Sequence, residues 1–416
     1  MSNNTAIFTI TSPLHSEQSV EKATREYLQS LREAGMPTVD MLGNDYDSYG
    51  KHTLNLLFIR TGGTEGLFRQ LLPKFQKQSK QPFYLLTSGK SNSLAASMEI
   101  LAYLKQHDIK GEILHGDASY VAKRIRLLSR ISEARKRIDG CRLGVIGKPS
   151  DWLIASKADT TAIKDSLGID LIEISIEEVI ETIRNMQADQ ASSKARLTSL
   201  ITELKEIKTP APAIAQALPG AIHIYKALAK TVKQYRLNGF TIRCFDLLTA
   251  VKNTGCLALA KLNAEGIVSG CEGDVPALIT MMVTQALTGV TGFQANPAHI
   301  NPLTGEILLA HCTIPLNMVD HFELDTHFES GIGVGIRGFM KEGPVTLFKL
   351  SGDLKRHFIA EGQLTACLSQ NDLCRTQMSI KLKDKSDAAY FLSNPIGNHH
   401  IVMPGLQKEL LEEILK

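Results

Sequence analysis

At 416 residues the chain is too long for one compact core, so two or three domains are expected. Hydrophobic residues make up 43% and charged residues 21%, which is ordinary for a soluble globular protein. The net charge of +3 excludes a dedicated nucleic-acid binder, which carries a strong basic stripe.

The first third alternates strand and helix. Ala6-Ile-Phe-Thr-Ile-Thr is a β-rich run ended by Ser12-Pro13. Ser16 to Arg32 follows with Val20, Ala23, Tyr27 and Leu31 at helical spacing. Leu54 to Ile59 and Phe83-Tyr-Leu-Leu are buried strands, and each leads through a Gly/Ser-rich turn into a helix. A further strand holds Ile113 and Leu114, ahead of a helix from about Ser119 to Ile138. This order implies a parallel sheet with helices on both faces. The two turns carry Arg60, Thr61, Thr64, Ser88 and Lys90 where open α/β sheets bind ligands, or their glycines simply make tight turns. Neither is a phosphate-binding GxxxxGK[ST] loop.

Arg142 to Gly147 restarts the pattern. Trp152, the single tryptophan, falls on the loop after this strand, where it could stack on a sugar ring or join a core. A helix over 160–167, a strand over 170–174 and a long helical stretch from Ile176 to Lys208 follow. A second helix reaches about Tyr235, and Thr241 to Phe245 reads as a strand ending in Asp246. Arg243 there fits an anionic group or an ion pair.

Ile267 to Cys271 forms a strand that hands over to Glu272. Asp274 before Val275-Pro276 carries the signature of a helix N-cap. Glu272 lies outside the helix among residues that look buried, and a carboxylate there needs a cation, a metal or a proton. After Gly292 short strands come in pairs: Phe293 to Ala295, Glu306 to Cys312, Val345 to Leu350, His357 to Gln363, Thr376 to Leu382 and Ile401 to Met403. They predict an antiparallel module, barrel or sandwich. Gly333-Val-Gly-Ile-Arg-Gly338 matches GxGxxG but opens no helix, so it reads as a flexible loop at a site mouth, with Arg337 near substrate. His311, His327, His399 and His400 are candidate imidazole ligands. With a carboxylate they suit Mn²⁺, Fe²⁺, Co²⁺ or Zn²⁺.

No apolar run of ~18 residues occurs and the N-terminus lacks a signal-peptide pattern, so no membrane association is expected. The seven cysteines include no CxxC pair and are odd in number. Neither a disulfide framework nor a thiolate zinc site is expected, and a reducing cytoplasm is the expected location.

Taken together, Gly270-Cys-Glu-Gly-Asp-Val-Pro276, Phe293-Gln-Ala-Asn296, Ala310-His-Cys312, Gly343-Pro-Val-Thr-Leu347 and Gly397-Asn-His-His400 resemble the C-terminal half of the L-fucose/L-arabinose isomerase superfamily. The resemblance implies two doubly wound parallel-sheet α/β domains followed by a domain with an antiparallel β-barrel, over 1–140, 141–265 and 266–416. It implies aldose–ketose isomerisation of a small-molecule sugar, a divalent metal of the Mn²⁺ type, and a homo-oligomer, trimer or hexamer. Glu272 would be both metal ligand and acid/base residue, and His399 or His400 would supply an imidazole ligand. His327 resembles a further histidine of the arabinose branch. Asn296 stands where the fucose branch has a metal-binding aspartate. An amide cannot act as a base, so either Glu272 acts alone, or Asp274 or a metal-bound hydroxide takes the second role. His311, His327, Arg337 and Trp152 are the expected substrate contacts. Different metal–carbohydrate chemistry (epimerisation or bond cleavage) and non-catalytic sugar binding are the alternatives.

Overall fold

The computed structural model describes residues 4–188 and 211–416. The chain divides into two compact units, Met1–Lys136 and Arg137–Lys416.

The first unit is built on five parallel strands: β1 Thr5–Ile10, β2 Asp40–Gly43, β3 Leu54–Ile59, β4 Phe83–Leu86 and β5 Gly111–Leu114, in spatial order β2-β1-β3-β4-β5. Helices α1 Glu17–Glu33, α2 Glu65–Gln78, α3 Ser93–Gln106 and α4 Ala118–Ile138 alternate with them. The two-residue period of a strand sorts the core. Phe8, Ile10, Leu57 and Ile59 pack with Phe68 and Phe75 of α2 and with Ile100 and Leu104 of α3. Ile7, Leu56 and Phe58 pack on the other face with Leu28 and Leu31 of α1 and with Val121 and Ile125 of α4. Each fully buried Phe or Leu contributes roughly 1.5–3 kcal/mol, which fixes the register. Strand β2 escaped the sequence reading because Met41 and Leu42 are too short an apolar run.

The Gly/Ser turns of this unit are occupied with their own structure. Arg60 donates from Nε to Thr11 Oγ1 at 2.7 Å and pairs with Glu21. Thr61 Oγ1 accepts from Ser12 N, Thr64 Oγ1 donates to the Thr61 carbonyl, and Ser88 Oγ accepts from Lys90 N.

The second unit begins with a parallel sheet of β6 Arg142–Ile146, β7 Asp170–Ile174, β8 Gly239–Ile242 and β9 Val268–Gly270, in order β7-β6-β8-β9. Around it lie α5 Thr160–Leu167, α6 Ile176–Ala188, α7 Pro212–Tyr235, α8 Cys244–Val251, α9 Cys256–Ala264 and α10 Val275–Thr288. The helix expected from Ile176 is described as far as Ala188, and the rest of that expectation, 189–208, lies outside the described residues. The strand expected over 241–245 stops at Ile242, since its ladder partner β6 stops at Ile146. Cys244 then opens a helix, which puts Asp246 in a first turn rather than at a strand end.

After α10 come β10 Phe293–Asn301 and β11 Glu306–His311, a separate hairpin of β12 His321–Asp325 and β13 Gly335–Phe339, and then β14 Gly343–Leu350, β15 His357–Leu368, β16 Thr376–Leu382 and β17 His400–Pro404. The six long strands close antiparallel in order β10-β11-β16-β15-β14-β17. The module is therefore a barrel and not a sandwich. Ile307 and Leu309, Val345 and Leu347, Phe358 and Ala360, and Met378 and Ile380 share its core at alternate positions. Among the described residues no helix is long and apolar enough to cross a membrane.

The Gly333–Gly338 stretch is not a flexible mouth. Gly335–Phe339 is strand β13, and Arg337 is buried at 7% exposure, 2.8 Å from Asp325 and 3.9 Å from Glu323. Gly333 at φ +67 packs its backbone on Thr254, where an added Cβ would come within 2.6 Å of Oγ1. Thr254 Oγ1 in turn bonds both the N–H and the carbonyl of Val334. The expected substrate contact by Arg337 is thus replaced by a structural ion pair.

Candidate metal centre

Open α/β sheets bind ligands beyond the carboxyl ends of their strands, near the point where strand order reverses. In the second sheet that point lies between β6 and β8. Trp152 follows β6, Cys244 and Phe245 follow β8, and Glu272 follows β9. All four residues come together beyond this edge.

Glu272 has φ +62, a conformation that a residue with a side chain rarely adopts. Its carbonyl accepts from Ser150 N at 2.9 Å, and Gly273 N donates to the Ile242 carbonyl at 3.0 Å. Gly273 itself, at φ +70, admits no Cβ, which would lie 2.7 Å from the Lys148 carbonyl oxygen. The tight turn holds the Glu272 carboxylate at 8% exposure. Oε2 accepts from the Trp152 indole N–H at 2.6 Å, while Oε1 lies 3.5 Å from His311 Nε2 and 3.5 Å from His399 Nε2. Burial pushes this carboxyl up, yet the two imidazoles outweigh it and hold the group well below the usual carboxylate range.

The barrel delivers the imidazoles. His311 is the last residue of β11, and its Nδ1 meets Thr313 Oγ1 at 3.2 Å. His399 stands immediately before β17, fully buried, with Nδ1 on Asp274 Oδ2 at 2.8 Å. A carboxylate on Nδ1 fixes the ring so that Nε2 points at Glu272. His399 Nε2 has no hydrogen-bond partner among the described residues. Adjacent residues of extended chain face opposite ways, which decides between the two C-terminal histidines. His400 turns from the group, with Nδ1 on the Asn398 carbonyl, Nε2 on the Tyr390 hydroxyl at 3.0 Å, and its ring against Phe391. Burial, helped by nearby Lys349, pushes the His400 imidazole down to about 3. Both its nitrogens are engaged, so it is not free for the ligand role expected of it, whereas His311 lies beside Glu272.

Glu272 Oε1 and the two imidazole nitrogens all lie within 4.8 Å of one another and are buried. Two ligand atoms at a tetrahedral cation with bonds of ~2.1 Å stand roughly 3.4 Å apart, close to the spacings seen here. The orphaned Nε2 aimed at a carboxylate oxygen, with a carboxylate behind the other ring nitrogen, fits a divalent cation. The N, N, O donor set is one that Mn²⁺, Fe²⁺, Co²⁺ and Zn²⁺ all accept.

Asp274 stands directly behind this group. It is fully buried behind His399, not in the pocket lining, and its Oδ1 caps α10 through Ala277 N at 2.8 Å. Lys349 Nζ lies 3.7 Å from Oδ2, and that lysine is 1% exposed. Burial raises the Asp274 carboxyl, but Lys349 and His399 bring it down to about 2. Asp274 does not reach the pocket in which a catalytic part was expected of it. Lys349 was missed because a lone lysine in an apolar strand carries no signal of what lies opposite it.

The adjoining pocket has an empty volume of about 500 Å³, its open mouth included. Glu272, Asn296, His311, His327, Phe245 and Glu329 are among its walls. Asn296 lies in β10 opposite Ala310 of β11, and its buried Oδ1 has no partner among the described residues. His327 rests edge-on against Phe245 at 5.8 Å and meets Ser330 Oγ through Nδ1 at 3.0 Å. Trp152 also packs edge-on with Phe245 at 4.9 Å, stays 51% exposed and donates its indole N–H to Glu272. Arg243 takes the ion-pair alternative, 2.7 Å from Asp151 and 3.1 Å from Asp246. Glu329 was not singled out in the sequence, where nothing marks one exposed carboxylate in a turn.

Burial lowers the His399 imidazole, but the Asp274 hydrogen bond and the negative charges of Glu272 and Asp274 raise it to about 9. At neutral pH the ring free of metal is therefore protonated, and a cation bound at Nε2 would displace that proton. Mn²⁺ affinity is expected to rise about tenfold per pH unit below that value and to level off above it. Calorimetric titrations in buffers of different protonation enthalpy measure the released proton. Metal uptake at neutral pH without proton release would contradict this reading of His399.

No family model matches the sequence. The chain is similar to sulfoquinovose isomerases. That of Priestia aryabhattai is 22% identical over 269 residues, 62% of this chain and 59% of that protein. That of Clostridium sp. (strain MSTE9) is 24% identical over 231 residues, 55% of this chain and 49% of that protein. That of Alkalicoccus urumqiensis is 21% identical over 267 residues, and there too the match spans 59% of the relative, under two thirds of its length.

Proposed function

We propose that the chain is a metal-dependent aldose–ketose isomerase of the L-fucose/L-arabinose isomerase type, acting on a pentose, hexose, deoxy sugar or modified sugar. One observation carries the reading: Glu272, His311 and His399 gather in one buried group at the carboxyl edge of a doubly wound sheet. The similarity to sulfoquinovose isomerases supports it from an independent side. Glu272, His311 and His399 would hold the ion, with the Asn296 amide oxygen as a fourth donor, and Mn²⁺ is the ion we favour. When bound, such a cation supplies a charge that holds the sugar's carbonyl and neighbouring hydroxyl oxygens and acidifies the C–H between them.

The protein's own groups then move the proton. Glu272 takes it from one carbon and returns it to the next through an enediol, with Oε2 as the working oxygen, steadied by Trp152. Asn296 cannot accept a proton. Glu329, a carboxylate that lines the same pocket, is our candidate for that second role. Phe245 and His327 line the space left for the sugar, and Trp152 packs behind Phe245. We take the active form to be a homo-oligomer, trimer or hexamer, as the resemblance implies, in the reducing cytoplasm that the cysteine pattern suggests.

The test combines elemental analysis with a sugar screen. Purified protein is expected to hold or take up one divalent ion per chain. Ketose formation is then expected from at least one sugar among pentoses, hexoses, 6-deoxy sugars and sulfoquinovose. Metal uptake with epimer or cleavage products instead would move the assignment to a related carbohydrate enzyme, and no uptake at all would reject it.

A further inference from the structure

Cysteines 244, 256, 271, 312 and 374 are scattered over 131 positions of sequence, yet all five line the pocket beside Glu272. All are free thiols. Cys312 has both Cys256 and Cys374 as neighbours, so no single pair is singled out there. Cys244 and Cys271 differ: their sulfurs stand 3.1 Å apart. Cys244 opens α8 beyond the end of β8, and Cys271 follows β9, so two neighbouring parallel strands aim their carboxyl ends at one another's thiol. Cys244 is half-buried and faces the pocket, whereas Cys271 is 4% exposed and lies at its floor.

We propose that Cys244 and Cys271 form an oxidisable dithiol, a modification site that peroxide reaches through the pocket and that disables the Glu272 centre when it closes. The more exposed Cys244 sulfur attacks a peroxide oxygen: an S–O bond forms, the O–O bond breaks and water leaves. The Cys271 sulfur then attacks that sulfur: the S–S bond forms, the S–O bond breaks and a second water leaves. Two thiols are oxidised and one peroxide is reduced. A disulfide is ~2.05 Å long, so closure draws the two sulfurs together by about 1 Å.

That movement falls on two sensitive points. Cys271 is bonded to Glu272, whose carboxylate belongs to the metal group. Cys244 is bonded to Phe245, which packs on both Trp152 and His327. A misplacement of about 1 Å at a reacting group can cost on the order of 10²-fold in rate. The chemistry of closure does not depend on the isomerase reading; only its consequence for turnover rests on it.

The experiment uses the full chain, reduced and then exposed to hydrogen peroxide. Remaining thiols are capped with N-ethylmaleimide and the peptides are mapped by mass spectrometry. A Cys244–Cys271 linkage that dithiothreitol removes is the expected product. It should come with roughly a 10²-fold loss of Mn²⁺ affinity or of turnover, restored on reduction. Cys244→Ser should form no linkage and should keep, after the same dose, whatever Mn²⁺ affinity it had before. The proposal is overturned if both thiols are capped after a dose that oxidises other pocket thiols, if Cys271 pairs elsewhere, or if the linkage forms and Mn²⁺ affinity and turnover both stay unchanged. Should no sugar be isomerised, the peptide map and Mn²⁺ uptake still decide it.

Discussion

Glu272→Gln is expected to lower ketose formation by about 10³-fold, within the 10²–10⁴ range typical of a lost acid/base group. The substitution keeps the shape of the side chain and removes only its charge. The turn that carries it is held by backbone bonds from Ser150 and to Ile242, which the change does not touch, so the fold should persist. Two effects add. The proton acceptor is lost, and so is the one anionic donor between His311 and His399. Mn²⁺ uptake should weaken in parallel with turnover. The single tryptophan supplies an internal signal, because its N–H rests on Glu272 Oε2 at 2.6 Å. Emission from Trp152 should shift in Glu272→Gln even without substrate. Turnover within a few-fold of the parent would remove Glu272 from the chemistry.

Asp274→Asn should show the second large effect, on stability as well as on metal. Lys349 is 1% exposed, and its Nζ has no hydrogen-bond partner among the described residues; the Asp274 carboxylate 3.7 Å away is the anion that compensates it. Removing one partner of a buried pair costs roughly 3–5 kcal/mol, because a charge is left alone out of water. The same change weakens the carboxylate support of His399 Nδ1, and loss of such support typically lowers metal affinity about 10–100-fold. Lys349→Met separates the two consequences. Added to Asp274→Asn, it should recover much of the stability, since no stranded charge remains, and leave Mn²⁺ affinity low. Denaturant titration and metal titration of the two single variants and the double variant complete the cycle. If Asp274→Asn alters neither quantity, the support assigned to it is wrong.

The Asp274 pair also sets an acid limit. Its carboxyl lies at about 2 in the folded protein, below the ordinary 3.8. A depressed carboxyl contributes its stability above the ordinary value and loses it as pH falls through the folded one. That contribution therefore fades between about pH 4 and pH 2.

Much of this architecture is legible from residue order. Alternation of Leu54–Ile59, Phe83–Leu86 and their helices follows from local periodicity, because a strand buried on both faces must be apolar throughout and the helix after it must bury one stripe. The six barrel strands show as short runs paired through turn residues such as Pro302-Leu-Thr-Gly305. Asp274 before Val275-Pro276 announces a helix start, and the cap is there. Glu272 stood out as a carboxylate with no local excuse for burial.

What tertiary structure decided is everything that depends on opposition across space. His399 and His400 are the same residue type at adjacent positions; only the facing of the chain ahead of β17 sends one toward Glu272 and the other toward Tyr390 and Phe391. The glycines around Arg337 looked like a mobile loop, but ladder bonds to β12 and the Asp325 carboxylate make that segment a strand. His311, Lys349 and the five pocket cysteines acquire their roles from partners dozens to over a hundred residues away, and no spacing rule encodes such meetings. Periodicity is a property of neighbours in sequence, so it fixes elements. A site is a property of neighbours in space, and it exists only once the sheet edge and the barrel have closed on each other.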